Sequence, residues 1–214
     1  MNFVYTALLF VISYACGSIP TGYWLVKALK GIDIREVGSG STGATNVLRT
    51  AGKAAGLFVF VFDILKGAVP ILATLWLSKN NLLISDEKSI LPVVMAVAAL
   101  VGHSRSIFLN FQGGKSAATG LGTLFALDWR VGLLTLITFV SIVAIGRIVS
   151  LGSLSAVAAS ILFMALLKAP ISYVVYCMIG LAYIGYRHKA NIQRLMNGTE
   201  PKIGEKAKLP GDEE

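Results

Sequence analysis

Apolar runs separated by short polar segments set the plan of the chain. The first runs from Phe3 to Leu29 and is interrupted by Gly17-Ser18-Ile19-Pro20, where a kink is expected because proline removes a helix hydrogen bond. Its apolar part, about 24 residues from Phe3 to Val26, would span ~36 Å as a helix, enough for a bilayer and more than the core of a secretory signal. It also lacks a basic start, so Met1 to Leu29 reads as the first transmembrane helix. Further runs follow at Ala54–Leu77, Ile90–Val101, Gly120–Leu127, Val131–Ile145, Ile148–Leu167 and Ile171–Tyr186. The third and fourth are too short to cross unaided, so their flanks must lengthen them or other helices must surround them. The pattern predicts one all-α polytopic membrane domain over residues 1–214, a bundle of about seven transmembrane helices. Residues 203–214 are expected to form a flexible tail.

Composition agrees with that reading. Hydrophobic residues make up 55% of the chain and charged ones 14%, with a mean hydropathy of +0.73. Soluble domains carry about a quarter charged residues. Cys16 and Cys177 both fall within apolar runs and read as small buried residues, not as a disulfide or metal pair. Neither His103 nor His188 has a His or Cys partner at a ligand-like offset, so no metal is expected. With seven spans, fourteen of the nineteen Lys and Arg fall on one side and four on the other, Lys66 lying inside the second span. The positive-inside rule then places the N-terminus outside and the C-terminus in the cytoplasm.

Asp63 and Lys66 stand three residues apart near the middle of the second span, on one helical face. Charges there are costly unless paired or turned to a polar cavity. They are either a structural ion pair or part of a site.

Three polar segments, far apart in sequence, fall on the side with more Lys and Arg. The first, Gly38 to Arg49, reads GSGSTGATNVLR, a glycine-punctuated loop whose backbone N–H and side-chain groups can converge on an anion. Ser39, Thr42, Thr45, Asn46 and Arg49 offer donors, and Arg49 supplies a planar fork suited to phosphate. The second, Gly102 to Thr119, contains Gly113-Gly114-Lys115-Ser116. It is not a nucleotide P-loop, since Leu109 stands where that pattern needs glycine and no strand precedes it. Its glycines still expose backbone N–H groups, Lys115 adds a point charge, and Phe108 and Phe111 suit an interfacial anchor. The third runs from His188 to Lys202. A helix over Arg187–Met196 would put His188 and Asn191 on one face, with Glu200 beyond a turn at Gly198. His188 is either a proton carrier or a hydrogen-bonding group, and Glu200 either orients a base or binds a hydroxyl.

These three segments, in this order on a small polytopic chain, resemble the bacterial acyl-phosphate-dependent glycerol-3-phosphate acyltransferase family. The motifs cover about 45 residues, and the hydropathy pattern between them is similar along nearly the whole chain. The resemblance implies a seven-helix inner-membrane enzyme with a cytoplasmic active site. It would pass a fatty acyl group from acyl phosphate to the sn-1 hydroxyl of glycerol 3-phosphate, giving 1-acylglycerol 3-phosphate and phosphate. Carried onto this chain, the candidate catalytic residues are Ser39, His188 and Asn191. The candidate substrate-binding residues are Gly40, Thr45, Asn46, Arg49, Gly113, Gly114, Lys115 and Glu200. Acyl phosphate, glycerol 3-phosphate and membrane lipid are the expected partners, with no cofactor and no nucleic acid, and the oligomeric state is open. The chain departs from the family pattern at four places. Ser41-Thr42 replace a usual Asn-Pro, Ser106 a usual Pro, and Ser116 a usual Gly.

Two rival readings compete with this one. An acyl-CoA-dependent acyltransferase would carry an HxxxxD signature, but Phe108 and Gln193 stand five residues after the two histidines. A transporter of organic phosphates would place polar groups at the midplane, where only Asp63 and Lys66 lie.

Overall fold

A computed structural model of the protein describes residues 1–205. Among these, ten α-helices follow one another: α1 (Asn2–Ser18), α2 (Thr21–Lys30), α3 (Ala44–Ala51), α4 (Lys53–Lys79), α5 (Leu91–Ser104), α6 (Ala117–Leu127), α7 (Trp129–Gly146), α8 (Val149–Leu166), α9 (Ile171–Arg187) and α10 (Lys189–Met196). An isolated bridge between Ser106 and Gln112 is the one β-type pairing among the described residues. The expected all-α bundle is the observed fold.

Four segments are long and apolar enough to cross a membrane, namely Asn2–Lys30, Lys53–Lys79, Trp129–Gly146 and Val149–Leu166. Helices α5, α6 and α9 are shorter. Their shortness is tolerated because protein surrounds them: ten of the fourteen residues of α5 and eight of the eleven of α6 are buried. Small residues let the backbones touch. A Cβ on Gly17 would stand 2.2 Å from the Ala99 carbonyl oxygen, and one on Gly122 would stand 1.9 Å from that of Ile64. These contacts fasten α1 to α5 and α4 to α6.

The first span breaks where proline predicts. Helix α1 ends at Ser18 and α2 begins at Thr21. The break leaves the Ile19 carbonyl without a helical donor, and Lys66 Nζ supplies one at 2.7 Å. The same ammonium stands 2.7 Å from Asp63 Oδ1, so the deep charges of the second span form an ion pair that caps the interrupted first span.

One expectation needs correcting. The segment between the first two spans is not all loop. It holds a 3-10 turn at Ile34–Glu36 and the helix α3, whose buried Val47 packs with Val26, Ile34, Ala55 and Val59. Tail residues 203–205 are described and Ile203 is fastened: its N–H donates to the Arg147 carbonyl at 2.7 Å, and Arg147 Nη2 donates back to the Ile203 carbonyl at 3.0 Å. The rest of the tail expected to be flexible, residues 206–214, lies outside the described residues. The main apolar core, around Ile71, Leu100, Leu124, Val131, Met164 and Tyr176, joins α4 through α9.

Candidate active site

Asn46 organises the first motif. Its side-chain amide donates to the carbonyls of Ile34, Val37 and Ser41 at 3.2, 2.9 and 3.0 Å, and its Oδ1 accepts from the Ser39 N–H at 3.1 Å. A buried amide with every group satisfied fixes the loop that carries it. Asn46 therefore spends its hydrogen-bonding capacity on the backbone and holds Ser39 in place. Gly40 takes φ +66° to close the turn and does not reach the cavity described below. At the replaced Asn-Pro position, the Ser41 hydroxyl accepts from the Gly43 N–H at 3.3 Å, just ahead of α3. Thr45 and Arg49, one helical turn apart on α3, both face the cavity. Arg49 Nη2 donates to the Pro201 carbonyl at 3.0 Å, while its Nε is buried with no protein partner. Arg49 lines the cavity, and its guanidinium is suited to an oxyanion.

In the second motif, a side chain replaces a rigid ring. The Ser106 hydroxyl donates to the Ser18 carbonyl at 2.5 Å and accepts from the Phe108 N–H at 3.3 Å, so it ties the loop to the end of α1 and caps the turn at Ile107–Leu109. Phe108 and Phe111 are exposed as expected of an interfacial anchor, and Trp24 of α2 joins them, its ring 5.9 Å from that of Phe108. Gly113 and Gly114 are needed for close approach. A Cβ on Gly113 would lie 2.3 Å from the His103 carbonyl oxygen, and one on Gly114 would lie 2.0 Å from His103 Nε2. The Gly114 N–H donates to the His103 carbonyl at 3.1 Å. At Gly114, then, the expectation of an exposed anion-binding N–H gives way to one already satisfied. Ser116 holds φ +64° and its hydroxyl donates to the Leu100 carbonyl at 2.7 Å, turning the chain into α6.

The third motif is not one continuous helix. Helix α9 ends at Arg187, His188 sits at φ −98°, ψ 9°, and α10 starts at Lys189. His188 and Asn191 both remain buried and face the same cavity. His188 Nδ1 is 2.8 Å from the Ile184 carbonyl, which assigns the proton to Nδ1 and leaves Nε2 as an acceptor. Burial pushes the imidazole down to about 4, so the ring is neutral near pH 7.

Between the motifs runs a chain of polar contacts. Lys115 Nζ donates to Asn191 Oδ1 at 2.6 Å, and Asn191 Nδ2 donates to Glu200 Oε1 at 2.6 Å. The Ser150 hydroxyl donates to the same oxygen at 2.8 Å, and Arg194 Nε donates to Glu200 Oε2 at 2.7 Å. Burial pushes the Glu200 carboxyl up, but these donors outweigh it and hold the group below the usual range. Glu200 is an orienting group here, fully engaged by protein. Burial also lowers Lys115 to about 8, with the Arg194 charge adding to the effect. Sequence reasoning missed Ser150 and Arg194. Ser150 opens α8 inside an apolar stretch, where nothing in the residue pattern separates it from the other small residues of that helix.

All of this surrounds one cavity of about 130 Å³. Ser39, Arg49, Lys115, His188, Asn191 and Glu200 supply polar lining, and Phe60, Leu121, Leu124, Phe139, Ala156 and Val157 apolar lining. Gly113 and Gly114, like Gly40, do not line it. Asp63 and His103 also reach the wall, so the ion pair that caps the first span borders the site.

A helical membrane bundle with a cleft lined by both cationic or hydrogen-bonding groups and apolar side chains defines an integral membrane protein suited to an anionic head and a hydrocarbon tail. The glycerol-3-phosphate acyltransferase family model matches residues 7–198, and the chain belongs to that family. It is 50% identical over 205 residues to the glycerol-3-phosphate acyltransferase of Nostoc sp. (strain PCC 7120 / SAG 25.82 / UTEX 2576), covering 92% of this chain and 91% of the relative. With the Crocosphaera subtropica enzyme of the same name, identity is 47% over 214 residues, covering 99% of this chain and all of the relative. The fold matches the crystal structure of PlsY, an integral membrane glycerol 3-phosphate acyltransferase. Its glycerol 3-phosphate form superposes with a TM-score of 0.84 at 36% identity, covering 93% of this chain and 96% of that one. A lysophosphatidic acid form of PlsY matches with a TM-score of 0.82.

Proposed function

We propose that the protein transfers a fatty acyl group from acyl phosphate to the sn-1 hydroxyl of glycerol 3-phosphate. The products are 1-acyl-sn-glycerol 3-phosphate and phosphate, in the first step of phospholipid synthesis. The observation that carries this reading is a cavity whose lining brings Arg49, Lys115, His188 and Asn191 together with apolar side chains of α4, α6, α7 and α8. Family membership supports glycerol 3-phosphate as acceptor. The acyl-phosphate donor rests on the match to the three motifs.

An acyl phosphate is a mixed anhydride with a good leaving group, so the chemistry demands alignment of two anions more than acid assistance. Arg49 and Lys115 bring the anions together against their mutual repulsion, with Lys115 taking the phosphate of glycerol 3-phosphate. Ser39, exposed and held by Asn46, lines the cavity and aligns the donor phosphate. His188, neutral and fixed by its Nδ1–H bond, presents Nε2 to the attacking hydroxyl. At about 4 the imidazole is a weak proton carrier, so it orients the hydroxyl, and the proton leaves with the phosphate. Asn191 and Glu200 hold Lys115 in register, and Gly40, Gly113 and Gly114 shape the loops. The excess of Lys and Arg on the motif side supports a bacterial inner-membrane enzyme whose active site and C-terminus are cytoplasmic and whose N-terminus is outside.

Purified protein with labelled glycerol 3-phosphate, offered palmitoyl phosphate, palmitoyl-CoA or palmitoyl-acyl carrier protein, tests the donor and reaction together. Labelled lysophosphatidic acid from palmitoyl phosphate alone is expected. Product only from the thioesters overturns the donor, and no product from folded protein favours transport of organic phosphates.

A further inference from the structure

Arg187 is the last residue of α9, outside the cavity wall, and the proposed chemistry does not use it. Its Nη2 donates to the Gly114 carbonyl at 3.0 Å and to the Gly113 carbonyl at 3.4 Å. Among the described residues no carboxylate pairs with it. One terminal nitrogen, Nη2, thus serves two successive carbonyls of the loop that leads into Lys115, while Nε is buried with no protein partner.

Peptide geometry says what that contact fixes. Across a trans peptide the C=O and the following N–H point in opposite directions. With the Gly113 carbonyl drawn to Arg187, the Gly114 N–H must face the other way, and there it meets the His103 carbonyl at 3.1 Å. The Gly114 carbonyl is drawn the same way, so the Lys115 N–H also points away from Arg187. The glycine pair lies between two walls, Arg187 and His103, and any Cβ would strike His103. A glycine pair without those walls has the widest choice of backbone conformation of any dipeptide. Both bonds come from Nη2, whose two N–H groups are held in the guanidinium plane, a geometry that a freely rotating ammonium does not hold.

We propose that Arg187 is a positioning residue for Lys115: by holding the Gly113 and Gly114 carbonyls it fixes the direction in which Lys115 enters the cavity to meet the phosphate of glycerol 3-phosphate. This rests on the reading of Lys115 as a ligand of that phosphate.

The test uses full-length protein in detergent, comparing wild type, Arg187→Gln, Arg187→Lys, Lys115→Ala and the double variant Arg187→Gln/Lys115→Ala. The readouts are KM for glycerol 3-phosphate, KM for the acyl donor, kcat, and the shift in melting midpoint caused by glycerol 3-phosphate alone. Arg187→Gln is expected to raise the glycerol-3-phosphate KM about tenfold or more, leave the donor KM within about twofold, and shrink the ligand-induced melting shift. Arg187→Lys, which keeps the charge and loses the fork, should fall between wild type and Arg187→Gln. In the double variant the melting shift should match that of Lys115→Ala alone, because Arg187 acts through the lysine. An unchanged KM in both Arg187 variants, with Lys115→Ala impaired, overturns the proposal. So does a double variant whose two losses add. If Arg187→Gln does not fold, a wild-type KM in Arg187→Lys overturns it instead. An unchanged glycerol-3-phosphate dependence in Lys115→Ala would sink the substrate assignment itself, a separate outcome.

Discussion

Lys115 Nζ and Asn191 Oδ1 stand 2.6 Å apart although 76 residues separate them in the chain. This contact joins the second motif to the third, and Glu200 holds its far side through the Asn191 amide. Asn191→Ala removes both links and leaves Lys115 without its oriented acceptor. A charge-assisted buried hydrogen bond is worth about 1.5–3 kcal/mol, so kcat/KM should fall about tenfold to a hundredfold. Asn191→Asp should be worse, since it sets a carboxylate against Glu200. Steady-state assays on both variants check the order.

Ser150 has no place in the sequence motifs, yet its hydroxyl donates to Glu200 Oε1 at 2.8 Å. Ser150→Ala should lower kcat/KM about fivefold to tenfold through loss of one buried hydrogen bond of about 1 kcal/mol. Its melting midpoint should move little. Wild-type kinetics in Ser150→Ala would show that Arg194 and Asn191 suffice to hold Glu200.

Lys115 gives the site a pH signature. Anion binding needs the ammonium, and in the folded protein the group titrates at about 8, well below its ordinary 10.5. Above pH 8 the glycerol-3-phosphate KM should therefore rise, approaching tenfold per pH unit, and the rise should disappear in Lys115→Arg. Stability moves the other way. Between about 8 and 10.5 the unfolded lysine binds more protons than the folded one, so this group's contribution favours folding as pH increases through that window. Assays and thermal melts from pH 7 to 10 measure the two trends together.

Lys66 neutralises Asp63 and satisfies the Ile19 carbonyl. Lys66→Met leaves the buried Asp63 carboxylate without its ammonium and the Ile19 carbonyl with only the Thr21 N–H, 3.1 Å away, and should cost about 3–5 kcal/mol. Asp63→Asn/Lys66→Met removes the charge imbalance and should recover a large part of that loss. Melting of both variants in detergent decides the matter, and equal midpoints would show that an unpaired Asp63 carboxylate is not what lowers stability.

Ser116 replaces the glycine usual in the family and holds a left-handed φ, with its hydroxyl bonded to the Leu100 carbonyl. Ser116→Gly relieves the backbone but loses the hydrogen bond, so stability should change by less than about 1 kcal/mol. Ser116→Ala keeps the strain and loses the bond. It should cost about 1–2 kcal/mol and lower the melting midpoint below that of Ser116→Gly.

The helical spans were legible because their cause is local. A run of apolar residues such as Val131–Ile145 cannot leave the hydrocarbon phase, and its backbone must then bond to itself. The break at Pro20 was legible for the same reason. Helix α3 was not read, although Ala44, Val47, Leu48 and Ala51 carry an i, i+3, i+4, i+7 pattern. Its glycine, serine and threonine neighbours argued for a loop, and packing against Val26 and Val59 overrode that propensity.

By itself, the sequence determined the membrane bundle, the polar segments that gather at one cavity, and the groups able to meet a phosphate, because hydrophobicity, charge and side-chain chemistry belong to residues one at a time. Only the tertiary structure decided how those groups are used. It spent Asn46 on its own loop, turned Glu200 into an anchor for Asn191 and Ser150, satisfied the Gly114 N–H at His103, and set Arg187 across the glycine pair. A hydrogen bond is shared between two groups and constrained to about 3 Å. Whether a donor faces substrate or protein therefore depends on what the fold places beside it, and a linear chain carries no record of that neighbour.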